Sequence, residues 1–254
     1  RQMCIRDRAL VGKVAGVQVM QTSGAPGEGV KIKVRGTNSL SASTTPLYVI
    51  DGYPASEDVY INPEDIESIS VLTGAAAAAL YGSNAATGAV MITTKKGQAG
   101  ALKVTLSSNT EFLNPFVQPE FQNRYGTGLN GLQSGSAIYS WGEKLAPAAR
   151  LGYTPDDFFE TGYVTTNSVT LSGGTEKNQM FFSAASVNSE GIIPNNLYDR
   201  YNFTFRNTSH FLKDRLRVDV GANYIVQKDQ NMTNQGVYSN PLVPAYLFPR
   251  GENF

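Results

Sequence analysis

Residues 65–97 read DIESISVLTGAAAAALYGSNAATGAVMITTKKG, and the rest of the chain is organised around them. Ile66, Ile69, Val71 and Leu72 form a β-branched apolar run. Ala75 to Tyr81 is a strong helix former and is stopped by Gly82. Ala89 to Thr94 is apolar and β-branched again, and ends at the charged pair Lys95, Lys96. Strand, short helix, strand predicts a small βαβ unit. After Gly97 the sequence changes character, and from Leu102 onward the strand-like runs alternate apolar with polar residues.

The bulk composition limits the function classes. The 254 residues carry zero formal net charge, which gives no electrostatic case for a nucleic-acid partner. Charged residues make up 17%, below the roughly 25% of an average soluble domain. The 25 glycines, 13 tyrosines and 12 phenylalanines point to β structure with many turns. No apolar run reaches the ~18 residues of a transmembrane helix, which leaves a membrane barrel open because its strands give a weaker signal. The single Cys4 excludes an internal disulfide framework. It lies in RQMCIRDR, residues 1–8, which resembles translated adapter read-through and is set aside from fold reasoning. The chain is expected to be a piece of a longer protein.

Ahead of residue 65 the elements are short. Ala9 to Ala15 predicts a helical turn or two, and Val17 to Met20 a short strand. Val30 to Val34 alternates valine and isoleucine with Lys31 and Lys33, a half-buried strand. Leu47 to Ile50 reads as a buried strand, and Asp51-Gly52 as a turn. Asn62-Pro63-Glu64-Asp65 predicts the start of one short helix.

With those elements in order, LVGKVAGVQVMQTSGAPGEGVKIKVRGTNSL (10–40), PLYVIDGYP (46–54) and residues 61–97 resemble the plug domain of TonB-linked outer-membrane transporters, most closely the SusC/RagA branch. The resemblance covers Leu10 to Gly97 nearly continuously. Three positions depart from the family wording. Thr73-Gly74 stands where Lys-Asp is common, Asn84 where Arg is frequent, and Thr87 where Asn is frequent.

The second half is tested by its period of two. Leu102, Val104, Leu106 and Phe112 oppose Lys103, Thr105, Ser107, Asn109 and Glu111. Val169 and Leu171 oppose Thr166, Ser168, Thr170 and Ser172. Tyr201, Phe203, Phe205 and Phe211 oppose Arg200, Asn202, Thr204, Arg206, Thr208 and His210. Leu216, Val218, Val220, Ala222, Tyr224 and Val226 oppose Arg215, Arg217, Asp219 and Asn223. Asn178 to Asn188 is ambiguous. The connections alternate long (113–164, 189–199, after 228) and short (174–177, 212–214), as in outer-membrane barrels. In a soluble sandwich the apolar face would pack on a core, whereas in a membrane barrel it meets lipid.

The fold class expected is therefore an α+β plug domain followed by antiparallel transmembrane β-barrel strands, about five of them, in an incomplete barrel. The expected division is residues 1–8 as the scar, 9–98 as the plug and 99–254 as the first part of the barrel.

No catalytic constellation is present. His210, the one histidine, falls on a polar strand face with no triad or metal partners nearby in sequence. Gly24, Gly27 and Gly29 have the wrong spacing for a phosphate loop. No metal site and no cofactor is expected. Arg35 and Glu67 sit at strand ends, where a charge inside a plug needs a partner in the plug or on the wall. The resemblance implies that such charges hold the plug until TonB pulls. Asp51 and Gly52 form a turn that is a further candidate for the substrate face. Tyr139, Trp141 and Tyr153 in the first long loop offer faces suited to sugar rings.

What the resemblance implies is TonB-dependent import of glycans or peptides across the bacterial outer membrane, with no enzymatic step. The implied partners are TonB, a SusD-like surface lipoprotein, an oligosaccharide or oligopeptide substrate and outer-membrane lipid. The alternatives are a siderophore or cobalamin receptor, a surface adhesion barrel, and, from another class, a soluble enzyme with an α/β domain and a β-sandwich.

Overall fold

The computed structural model describes residues 17–21, 30–34, 45–56, 61–132, 139–147, 153–231, 233, 236 and 238–251. The proposed scar at 1–8, the helical turn at 9–15 and Arg35 lie outside the described residues. Strands β1 (Val17–Gln21) and β2 (Val30–Val34) pair antiparallel, with Val17 opposite Val34.

A four-stranded sheet follows, made from β3 (Leu47–Ile50), β4 (Tyr53–Ala55), β5 (Ile66–Leu72) and β6 (Ala89–Thr94) in the order β4-β3-β6-β5. Helix α1 (Gly74–Tyr81) links β5 to β6 and ends at Gly82, whose φ of 73° is easy for glycine alone. The expected parallel βαβ unit is not what forms. β5 and β6 are antiparallel, with Leu72 opposite Ala89, and the parallel neighbour of β6 is β3. In the antiparallel arrangement the connection only has to cross from the end of β5 to the neighbouring start of β6, and there Ala77 and Ala85 pack against Val49 and Ala89. The helix is thus the loop of a wide hairpin. The expected helix at Asn62 to Asp65 is one 3-10 turn, Pro63–Asp65, which runs straight into β5.

β6 is greasy on both faces because both are covered. On one side Val49 and Ala89 pack with Ala77 and Ala85, and with Leu47, Leu72, Tyr81 and Met91 around them. On the other, Tyr48, Val90 and Ile92 pack with Ile50, Ile61, Ile66, Ile69 and Val71. The alanines let α1 approach the sheet closely, which longer side chains would prevent.

The remaining strands form a five-stranded meander, β7 (Gly100–Leu113), β8 (Gly162–Gly174), β9 (Asn178–Glu190), β10 (Leu197–Phe211) and β11 (Leu216–Gln230), in the order β11-β10-β9-β8-β7. At 13 to 15 residues each, they exceed the roughly 9–11 needed for a tilted crossing of a bilayer. The connection expected at 189–199 shrinks to 191–196, because β9 and β10 continue toward each other and Gly191 N–H donates to the Asn196 carbonyl at 2.8 Å.

The dressing of β10 decides what this sheet faces. Asn202 is 3% exposed and Thr204 7%, while Phe203 and Phe205 are 44% and 40% exposed. Val218 and Val220 on β11 are uncovered too. Among the described residues no second layer covers the aromatic side, and the buried, polar side is the inner one. The ambiguous strand β9 alternates in burial, but its buried face is largely apolar. Phe181, Ser183, Ala185 and Val187 are buried, and Met180 and Phe182 are exposed.

Two compact units are distinguished, residues 1–110 with 164–188 and 198–228, and residues 111–163 with 189–197 and 229–254. In the second unit, helix α2 (Leu242–Leu247) and the turn Pro155–Phe158 surround Tyr153. The Tyr153 hydroxyl donates to the Ala245 carbonyl at 3.1 Å, and its ring meets Phe248 edge-on at 5.0 Å. Arg250 stacks 4.5 Å from the Phe121 ring centroid and donates to the Tyr153 carbonyl at 3.3 Å.

Candidate functional site

The two-residue turn Asp51-Gly52 joins β3 to β4, with Ile50 opposite Tyr53. Both residues have positive φ, 49° and 92°, the conformation that two-residue hairpins require and that Asp and Gly tolerate best. That conformation fixes the Asp51 carboxylate. Its Oδ1 accepts the Thr94 N–H at 2.9 Å, and its Oδ2 accepts the Thr94 hydroxyl at 2.7 Å. The Arg206 guanidinium on β10 lies 2.8 Å from Oδ2. One carboxylate therefore clasps β6 of the α/β sheet and the inner face of the wall together. Both side chains keep some solvent contact, so the pair is partly screened.

A second junction centres on Asp65, which is 2% exposed. The Thr204 hydroxyl on β10 donates to its Oδ2 at 3.0 Å, and Asn62 Nδ2 lies 3.5 Å from its Oδ1. Asn62 also reaches the Ser183 hydroxyl of β9 at 3.4 Å. Burial pushes the Asp65 carboxyl above its ordinary range, and hydrogen bonds from Ser183 and Thr204 and the charges of Lys95 and Arg206 pull it part of the way back. Asn62, Asp65, Ser183, Thr204 and Arg206 were legible only as polar positions. Their meeting joins segments far apart in sequence.

Beside these junctions, a cleft of about 420 Å³ opens between the end of β6 and the inner faces of β7, β8 and β9. Glu67, Lys95, Lys96 and Lys103 line it, with Thr105, Thr170, Ser172 and Phe181. Glu67 sits at a bulge where β5 slips register between Ile66 and Ser68, which turns its side chain out of the regular alternation. Gly97 closes one end of the cleft. A Cβ there would fall 2.5 Å from the Met180 backbone nitrogen, so the chain leaving β6 touches β9 directly.

Of the residues expected to matter, the structure brings Asp51 to the wall and Glu67 to the cleft. Gly52 is exposed in the turn. Tyr139 and Trp141 are exposed in the second unit, whereas Tyr153 is 6% exposed with its hydroxyl and one ring edge already engaged. His210 places Nδ1 3.4 Å from the Asp214 carboxylate. No cluster of potential metal ligands occurs among the described residues.

Comparison with known proteins agrees with this geometry. The family profile described as TonB-dependent Receptor Plug Domain matches residues 7–89. The TonB-dependent receptor SusC of Bacteroides thetaiotaomicron is 32% identical over 233 residues, 87% of this chain and 23% of that protein. TonB-dependent receptor P39 of Formosa agariphila is 32% identical over 231 residues, 89% of this chain and 21% of that protein. The chain thus spans less than a quarter of the length of these relatives. Among solved structures, the RagAB peptide importer in its closed-closed state superimposes with a TM-score of 0.69 and 26% identity, covering 91% of this chain and 29% of that one. Its open-open state gives 0.69 and 25% identity, over 88% and 28%.

Proposed function

Because this chain belongs to the SusC/RagA-type TonB-dependent receptors, proteins of the outer membrane, we propose that it forms the plug and first wall strands of an importer for oligomeric nutrients. The observation that carries this reading is the inverted dressing of β10, with Asn202 and Thr204 buried, Thr204 bonded to Asp65, and Phe203 and Phe205 uncovered on the other side. Lipid-facing strands and a packed lumen need that arrangement. The plug is taken as residues 9–98 and the wall as 99–254. The protein moves its cargo and does not transform it.

In this reading the plug is held by the Asp51–Arg206 ion pair and by the Asp65–Thr204 and Asn62–Ser183 hydrogen bonds. Force applied by TonB has to part these contacts before cargo passes. Asp51 is then a clasp and not a substrate contact, and Glu67 lines the way past the plug. Tyr139 and Trp141 remain available for cargo, while Tyr153 supports the loops. Arg35 keeps the plug-holding role that the family resemblance implies.

The likeness to the RagAB peptide importer supports peptide cargo, and the family resemblance adds glycans and a SusD-like lipoprotein that delivers the cargo on the outer face. The test is uptake of fluorescently labelled oligosaccharide and oligopeptide pools by the host bacterium. Uptake of one pool should be lost on deletion of either this receptor or TonB, and restored by the receptor gene. Unchanged uptake in both deletions, with the protein recovered outside the membrane fraction, would overturn the reading.

A further inference from the structure

The cleft beside Gly97 is lined by three lysines, Lys95, Lys96 and Lys103, against one carboxylate, Glu67. None of the four makes an ion pair within 4 Å among the described residues. Lys95 is half-buried and already acts on the Asp65 carboxyl, Glu67 offsets one further charge, and Lys96 acts on the Asp219 carboxylate, which Arg217 already pairs at 3.1 Å. An ammonium surplus is left on the exposed Lys96 and Lys103. The cleft is otherwise dressed with hydroxyls, Thr105, Thr170 and Ser172, over the Phe181 ring. Its volume, about 420 Å³, suits one or two sugar or amino-acid units.

The cleft does not face lipid. Lys103 and Thr105 alternate along β7 with Leu102, Val104 and Leu106, which are exposed on the opposite side of the sheet. Its occupant therefore arrives through the lumen. A surplus of ammonium groups at a polar seam with low-dielectric walls focuses potential and concentrates anions.

We propose that this cleft is a way-station for carboxylate-bearing cargo, an acidic oligosaccharide or an acidic peptide, as it passes between plug and wall. The proposal rests on the import reading above. Lys96 and Lys103 bind the carboxylate, the three hydroxyls take the remaining polar groups, and Phe181 supports the apolar face of the unit.

The test uses the complete receptor in detergent and two matched probe pairs, galacturonic acid trimer against neutral galactose trimer, and tri-aspartate against tri-asparagine. Binding is followed calorimetrically at low and at physiological salt. The acidic member of one pair should bind about tenfold tighter at low salt, with the gap narrowing as salt screens it. The pair with the larger gap identifies the carboxylate source. In the Lys96→Gln/Lys103→Gln variant, with an unchanged melting transition, the gap should close. No preference in the unaltered receptor, or a preference that survives in the variant, would overturn the proposal. Failure of TonB-dependent uptake for every oligomer would overturn the import reading and leave the binding comparison readable.

Discussion

Asp51 Oδ2 lies 2.8 Å from Arg206 Nη1, so a hairpin turn of the plug is tied to the fourth wall strand by a single carboxylate that also holds Thr94. Asp51→Asn removes the charge and keeps both the left-handed turn and an acceptor for Thr94. It should weaken plug docking by about 0.5–2 kcal/mol, and a cycle with Arg206→Gln should show a coupling of about 1 kcal/mol. Hydrogen exchange of the β3 and β6 amides in the complete receptor reads both quantities. Independent, additive effects of the two substitutions would remove the clasp from the account.

Asp65 gives a pH signature. Its folded-state pKa is raised above the unfolded value near 3.9, so the proton prefers the folded form. The stabilisation this brings is complete below pH ~3.9 and is lost as pH rises through the raised value. Asp65→Asn has no such group. Relative to the parent receptor, it should gain stability as pH rises above about 4, seen as a shift in the difference of denaturant midpoints. A difference independent of pH would show that Asp65 does not titrate as its burial requires.

Gly97→Ala tests the direct contact of plug and wall. The new methyl would meet the Met180 backbone, which cannot turn aside as a side chain can. A cost of about 1–3 kcal/mol is expected, with the strand end of β6 displaced from β9. A melting temperature equal to the parent's would mean that the two backbones separate freely.

Phe203 tests the lipid face. Phe203→Arg should cost about 2–4 kcal/mol of folding into vesicles if the position lies near the bilayer midplane, whereas Phe203→Leu should be nearly neutral. The fraction of heat-resistant folded barrel on gels measures both. Equal yields for the arginine and leucine variants would place Phe203 in water.

In the second unit, Arg250 is buried under Phe121 and held by the Tyr153 carbonyl. Burial pushes its pKa down, with the Tyr153 hydroxyl opposing. Arg250→Ala should destabilise the loop layer by about 2–4 kcal/mol, and Arg250→Met, which refills the volume, by clearly less. Limited proteolysis of the loops ranks the three. Equal sensitivity of the alanine and methionine variants would mean that charge, and not packing, governs the site.

The alternation in β7, β8, β10 and β11 was legible because each strand carries one chemistry per face, and the period survives wherever the chain runs extended. β9 was not, since Phe181 and Phe182 are adjacent and identical, and nothing in the sequence says which of the two meets Ser172 and Lys96 at the cleft and which is exposed. The direction of β6 was misread because a helix between two strands suggests a parallel crossover, and nothing local in the sequence says that Leu72 pairs with Ala89 instead. Asp51 read as a turn residue, which it is. Its second task depends on Arg206, and no local pattern couples positions so far apart. Tyr153 was legible as an aromatic in a loop, but not as the one that the following helix would cover.

The face-by-face dressing of the wall also constrains how such a gene can change length. Adding one residue within β10 would carry Phe203 and Phe205 inward and Asn202 and Thr204 outward from that point on. Insertions and deletions tolerated inside these strands should come in even numbers or arrive with a bulge, while the segment 114–161 can change by any count. An outward-growing family of such proteins would then vary in its loops and keep a fixed metre in its wall.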